Sequence, residues 1–94
     1  MDLIERFNQI KESFRLTIRN VNRYKLYFDC INSSCFRLTI RNVNYFFHKI
    51  FCILFSSFRL TIRNVNEVDA YRYSMLAQGF RLTIRNVNLC TDIF

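Results

Sequence analysis

The chain has one glycine, no proline and no tryptophan in 94 residues, against eleven phenylalanines. Folded domains use glycine and proline more freely, because turns need either a positive φ or a fixed one. With Gly79 alone, no glycine-rich loop can cradle a phosphate. Phe, Ile, Asn, Lys, Tyr and Leu have codons made largely of A and T, whereas Gly, Pro, Ala and Trp need G or C. The composition therefore indicates AT-rich DNA.

Metal-binding and catalytic patterns are also missing. The cysteines contain no C-x2-C pair of the kind that zinc sites use, and they are Cys30, Cys35, Cys52 and Cys90. His48 is the only histidine, and no serine or cysteine is tied to it as a nucleophile by spacing. Glu67 and Asp69 form an isolated E-x-D, which is commonplace. We therefore predict no enzyme activity, no metal and no cofactor.

Export and membrane insertion are not indicated either. Residues 1–13 are acidic at the start and contain no apolar h-region, so we expect no signal peptide. The apolar run at residues 45–58 contains His48 and Lys49 and is shorter than the roughly 20 residues that a spanning helix needs. We expect no transmembrane helix, and at most a weak association of residues 45–58 with a membrane surface. Localisation is open, with the cytoplasm expected if the chain is expressed.

What the chain does contain is the nine-residue stretch FRLTIRNVN, four times without a change. The copies are residues 14–22, 36–44, 58–66 and 80–88. Each copy begins 22 residues after the one before it, and spacers of thirteen residues with unrelated sequences lie between them. We treat residues 1–94 as a single segment built from these copies and spacers.

The positive charge of the chain belongs to the repeated stretch. The formal net charge is +7, with fourteen basic and seven acidic residues. Two arginines in each copy supply eight of the basic residues, so the remainder of the chain is close to neutral. These eight are the candidate nucleic-acid-binding residues, because arginine contacts phosphates well. They are Arg15, Arg19, Arg37, Arg41, Arg59, Arg63, Arg81 and Arg85.

The two kinds of segment predict different secondary structure. Within residues 1–13, apolar residues recur at helical spacing, at Leu3, Ile4, Phe7 and Ile10. Early acidic residues favour a helix N-terminus, so we predict an amphipathic helix there. Each copy instead alternates apolar and polar residues, which predicts a half-buried strand. Asn20 and Asn22 supply turn chemistry where the first copy ends.

Identical strands at a fixed period suggest a solenoid, but the spacers argue against one. Every part of a solenoid repeat must bury apolar side chains at fixed offsets. The third spacer position is occupied by Leu3, Lys25, Phe47 and Asp69, and the sixth by Arg6, Phe28, Ile50 and Arg72. Stacked arginines would repel at roughly 0.8 kcal/mol per adjacent pair, about 5 kcal/mol in all. Asparagine ladders would offset part of that cost, at Asn20, Asn42, Asn64 and Asn86.

Identical short repeats that alternate with unique segments of equal length resemble a CRISPR array translated as though it were a gene. The residues just before the copies are Ser13, Cys35, Ser57 and Gly79. Ser, Cys and Gly share codons of the form NGT or NGC, which fits a DNA repeat reaching two bases upstream of the Phe codon. The residues after the copies share no first base, so the repeat ends at the Asn codon; they are Arg23, Tyr45, Glu67 and Leu89. The resemblance covers the whole chain.

This resemblance implies a spurious open reading frame in a bacterial or archaeal genome, with no function and no partner as a protein. The locus would act as DNA and guide RNA, whose base pairing carries specificity. A chain never selected to fold need not have consistent local preferences. We therefore expect no stable evolved fold, and an α+β mixture with an N-terminal helix and short strands at the copies. The alternative is a short β-solenoid that binds a polyanion, nucleic acid, through rows of arginine.

Overall fold

A computed structural model describes residues 2–33, 35–73 and 75–93 as a β-solenoid. The extended segments are β1 (Asp2–Ile10), β2 (Phe14–Arg19), β3 (Arg23–Ser33), β4 (Phe36–Arg72) and β5 (Met75–Ile93). Every pair of neighbouring strands is parallel. The stack measures 29 × 21 × 20 Å along its principal axes.

One coil of the solenoid contains 22 residues, so from Phe14 onward each paired residue lies beside the residue 22 places later. Phe14 pairs with Phe36 and Arg23 with Tyr45 in this register, and Phe58 pairs with Phe80. A repeat copy supplies the short strand of a coil and a spacer supplies the long strand. The strand prediction for the copies is therefore confirmed. β4 is long because it runs through two asparagine corners, at Asn42 and Asn64, and β5 runs through one, at Asn86.

The corners after the short strands are made by asparagine in the left-handed backbone conformation. Their φ values are 58° at Asn20, 55° at Asn42, 55° at Asn64 and 56° at Asn86. Asparagine tolerates this region better than other residues with a Cβ, so the chain turns there without glycine. The side chains also form a ladder, in which each Nδ2 donates to the Oδ1 of the preceding coil at 2.9–3.1 Å. A second ladder runs through Asn22, Asn44, Asn66 and Asn88.

The core lies between the ladder of short strands and the ladder of long strands. In the copies, Phe36, Leu38 and Ile40 are fully buried, and so are their equivalents one coil later. The phenylalanines at the start of the copies form a continuous stack with centroids 5.0–5.1 Å apart. The ring of Phe28, on a long strand, packs against this stack, and its centroid lies 5.3 Å from that of Phe36.

The prediction that the spacers carry no apolar register is wrong. The third spacer position faces outward in the coils after the first, so its changing chemistry at Lys25, Phe47 and Asp69 costs no core. The second position faces inward and is apolar throughout those coils, at Tyr24, Phe46 and Val68. A strand needs apolar residues only at alternate positions. The spacers meet that requirement except at a few inward polar residues.

The predicted N-terminal helix is also wrong, because residues 2–10 are strand β1. An isolated helix of this length is marginal, whereas the edge of β3 offers a row of backbone partners. β1 pairs with β3 at an offset of 21 rather than 22, with Leu3 beside Tyr24 and Phe7 beside Phe28. This one-residue shift exchanges the two faces of the strand. It turns Leu3 and Phe7 toward the core and leaves Ile4 outside, 57% exposed.

The expectation of no stable fold, with an α+β mixture of elements, is also wrong, because parallel pairing joins the five strands into a solenoid. Strands occupy almost all of the described chain, and none of its residues is helical. In the part of the chain that the structure describes, no helix long and apolar enough to cross a membrane is present.

Candidate arginine-rich binding face

The outer surface of the short strands is built from the polar residues of the repeated stretch. In β2, Phe14, Leu16 and Ile18 turn inward, and the residues between them are exposed. Alternation along the strand therefore presents an arginine, a threonine and a second arginine to solvent. We call the surface formed by these residues in all four copies the arginine face.

Parallel in-register pairing turns this motif into rows. Arg15 lies beside Arg37 and Arg59 beside Arg81, and the second arginine of each copy pairs in the same way. The two copies inside β4 stack on each other in the same way, since the rings of Phe36 and Phe58 are in contact. The structure thus brings together all eight arginines predicted from the sequence, in two rows of four: Arg15, Arg37, Arg59 and Arg81, then Arg19, Arg41, Arg63 and Arg85.

The rows are closely spaced, and the repeated stretch that forms them contains no acidic residue. Parallel strands place neighbours in a row about 4.8 Å apart, and four residues of strand separate the rows by about 13 Å. Among the described residues the one ion pair joins Arg72 to Asp92, away from this face. The face is therefore a dense array of positive charge.

Three arginines of the face hold a shielded donor. The Nε atoms of Arg37, Arg41 and Arg63 are buried in the stack and have no hydrogen-bond partner. A buried donor without an acceptor costs free energy, so the close stacking of these arginines carries a cost. A cleft of about 330 Å³ opens beside Arg15 and Arg37, lined also by Ser13, Phe14 and Cys35.

The opposite outer surface, on the long strands, is aromatic and mixed in charge. The rings of Phe51 and Tyr73 stack 5.1 Å apart and are about half exposed, with the Lys49 ammonium 5.2 Å from the Phe51 centroid. The hydroxyl of Tyr45 donates to Asp69 at 2.8 Å. Burial, this bond and the negative charge of Asp69 raise the pKa of Tyr45 to about 12. The E-x-D pair thus lies on a surface that carries both signs of charge, unlike the arginine face.

A polar cluster lies inside the solenoid. Arg72 is 1% exposed, and its Nε donates to Nε2 of His48 at 3.1 Å. Its Nη1 donates to both carboxylate oxygens of Asp92, at 2.9 and 2.7 Å. Burial and, to a smaller extent, the Arg72 charge hold the pKa of His48 well below its usual value. Sequence reasoning missed this partner of His48, which lies one coil and two residues further along.

Two of the four cysteines lie at the same position in neighbouring coils. Cys30 and Cys52 are register partners on β3 and β4, so their side chains are neighbours. Burial and the contact with Cys52 raise the pKa of the Cys30 thiol. Sequence reasoning also missed this pair, although its spacing equals the repeat period. Within the described residues, no cluster of three or more His, Cys, Asp or Glu side chains could hold a metal ion.

Compared with protein-family models, curated proteins and solved structures, the chain gives no significant match. The case for a function therefore rests on the residues and their geometry.

Proposed function

We propose that the folded polypeptide binds nucleic acid, as a polyanion, through the arginine face. The observation that carries the proposal is the arrangement of eight arginines in two in-register rows without a carboxylate on the described part of that face. Arginines that contact phosphates release condensed counterions, and this release is the main source of affinity in binding that is independent of sequence. The other outer surface offers no comparable array, since its cations alternate with carboxylates and aromatic rings.

The geometry favours a nucleic-acid backbone lying along the stack. Each coil repeats the same contacts about 4.8 Å further on, so a backbone lying along the stack meets the same side chains at every coil. The threonines between the rows add hydroxyl donors, which also contact phosphates. They are Thr17, Thr39, Thr61 and Thr83. Because every coil presents the same chemistry, the face positions a backbone and does not read bases.

The test is fluorescence anisotropy with a labelled single-stranded oligothymidine at several salt concentrations. The variant Arg37→Gln with Arg59→Gln removes two neighbouring charges from the middle of one row. We expect its affinity to fall about tenfold at low salt. The slope of log K against log salt should become shallower by about 1.4, because two phosphate contacts are lost.

The matched control is Arg6→Gln with Arg23→Gln, which removes the same charge from the opposite surface. Both arginines lie over tyrosine rings there, at 4.5 and 5.0 Å. Affinity and salt slope should stay close to those of the parent chain. Equal losses in both variants would mean that net charge alone attracts the oligonucleotide, and the arginine face would have no special role.

A second proposal concerns the origin of the repeat: the reading frame crosses a CRISPR-type array, and selection acted on its bases. The four copies are identical even at exposed positions, where a solenoid tolerates change. Buried spacer positions change chemistry from coil to coil, as at Leu26, His48 and Ala70. Selection for a fold produces the opposite pattern, with buried positions kept and exposed ones drifting. This contrast supports selection on the DNA.

The nucleotide sequence of the locus tests this second proposal. We expect the four blocks that encode FRLTIRNVN to be identical at every silent position, and the two bases before each block to be the same. We also expect no peptide of the chain in the proteome of the host. Silent differences among the blocks, together with detected peptides, would leave selection on the polypeptide as the explanation.

A further inference from the structure

Two cysteines from different spacers occupy the same position in neighbouring coils. Cys30 on β3 is the register partner of Cys52 on β4. Neighbouring parallel strands lie about 4.8 Å apart, which is inside the Cα separation of roughly 4.4–6.8 Å that disulfides span. The two side chains are neighbours in this register and both are half-buried, so a small solute can reach them.

We propose that Cys30 and Cys52 form a redox-sensitive pair, which closes a disulfide between two coils on reaction with a small disulfide such as oxidised glutathione. The thiolate of one cysteine attacks the glutathione disulfide, forming a mixed disulfide and releasing one reduced glutathione. The other cysteine then attacks the protein sulfur of the mixed disulfide and releases the second. Two electrons pass to glutathione, and the two protons of the protein thiols end on the two reduced glutathione molecules.

The bond would join consecutive coils across a loop of one repeat period. It would hold β3 against β4 in the register that positions the inward spacer residues. Cross-linking also removes conformations from the unfolded chain, so the oxidised form should unfold at a higher denaturant concentration. The pair lies on the long strands, outside the arginine face, so this proposal does not depend on nucleic-acid binding.

The test uses the variant Cys35→Ser with Cys90→Ser, in which Cys30 and Cys52 are the remaining cysteines. The chain is equilibrated with oxidised and reduced glutathione, blocked, and digested with trypsin without reduction. Cleavage after lysine and arginine separates the cysteines onto peptides 26–37 and 50–59. We expect these peptides as one cross-linked species that is lighter by two hydrogens than the two reduced peptides together.

The same equilibration in concentrated urea is the control for chance closure. The effective concentration of the pair should be at least about tenfold higher in buffer than in urea, because the folded register holds the thiols together. Equal values in the two conditions, a stable mixed disulfide with glutathione, or a disulfide-linked dimer as the main product would overturn the proposal.

The parent chain with all four cysteines gives a second measurement that does not depend on the folding of the variant. An unfolded chain favours the shorter loop between Cys30 and Cys35, which would appear as peptide 26–37 lighter by two hydrogens. The register of β3 and β4 favours the bond between peptides 26–37 and 50–59. Predominance of the short loop would overturn the proposal.

Discussion

At the residue scale, asparagine takes the place that glycine usually has in tight turns. Asn64 has a φ of 55°, a region that costs most residues with a Cβ about 1–2 kcal/mol. Its side chain donates to Asn42 and accepts from Asn86, so the corner is tied to both neighbouring coils. Asparagine therefore provides both the backbone bend at the corner and the side-chain hydrogen bonds that link the corners of neighbouring coils.

Replacing this corner residue should separate the two contributions. We expect Asn64→Ala to lower the free energy of unfolding by about 2 kcal/mol, because alanine is strained at positive φ and the ladder is broken. Asn64→Gly breaks the same side-chain bonds but adopts the backbone freely, so it should cost about 1 kcal/mol less. Urea unfolding measures both. If the alanine variant were as stable as the glycine variant, left-handed strain at the corner would be refuted.

His48 is the residue whose chemistry is most altered by folding. It is fully buried, its Nε2 accepts from Arg72, and its Nδ1 has no partner. Asp92 is the other charged group in this cluster, bound to Arg72 on the side away from His48. Burial beside a guanidinium lowers the pKa of His48, so the folded state holds the neutral imidazole where the unfolded state takes up a proton.

This difference predicts a loss of stability in mild acid. As the pH falls through the ordinary histidine pKa of about 6.5, the unfolded chain binds a proton that the folded chain does not, so stability falls as pH falls, by up to about 1.4 kcal/mol per pH unit. His48→Leu should remove this part of the slope, whatever its effect on stability at neutral pH. Urea unfolding at several pH values measures the slope, and parallel curves for parent and variant would contradict the prediction.

At the element scale, β1 shows how register chooses the face of a strand. An offset of 22 would have turned Ile4 and Arg6 toward the core, whereas the observed offset of 21 turns Leu3 and Phe7 inward. In this register Glu5 lies next to β3, where it accepts a hydrogen bond of 2.6 Å from the hydroxyl of Tyr24. The shift therefore keeps Arg6 out of the core, and it allows Phe7 to pack there and Glu5 to form its hydrogen bond.

Two neighbouring substitutions distinguish the two registers. Leu3→Asp places a carboxylate against Tyr24 and should cost about 2 kcal/mol, since it removes apolar contact and buries charge. Ile4→Asp changes an exposed side chain and should alter stability by less than about 0.5 kcal/mol. Thermal or urea unfolding of the pair provides the comparison. The reverse order of effects would indicate an offset of 22.

At the scale of the whole molecule, stacking concentrates positive charge on one side. Six adjacent arginine pairs repel by about 5 kcal/mol in total without screening, and the two asparagine ladders and the phenylalanine stack oppose that repulsion. A folded chain of this kind holds its charges closer together than the unfolded chain does. Its stability should therefore depend on salt.

We expect the free energy of unfolding to increase by one to a few kcal/mol when sodium chloride is raised from low to molar concentration, because screening relieves the repulsion. The control replaces one complete row by threonine, at Arg15, Arg37, Arg59 and Arg81. This variant keeps one row, so it should gain about half as much from salt. A stability that does not change with salt, or the same gain in both chains, would show that the rows do not strain the fold.

The sequence by itself determined the repeated parts of this protein. The period of 22, the strand in each copy and the asparagine turn after it follow from the four copies of FRLTIRNVN and their spacing, since alternation and turn preference are local properties of the chain. The tertiary structure stacked the copies in register and so aligned their arginines in rows. Only the tertiary structure decided which side of each spacer faces inward, since that depends on the register with the coil before it. The helical spacing of residues 1–13 was compatible with a strand, and the parallel edge of β3 chose the strand. The same register brought His48 to Arg72 and Cys30 to Cys52, because contacts between coils depend on how the strands pair across the stack.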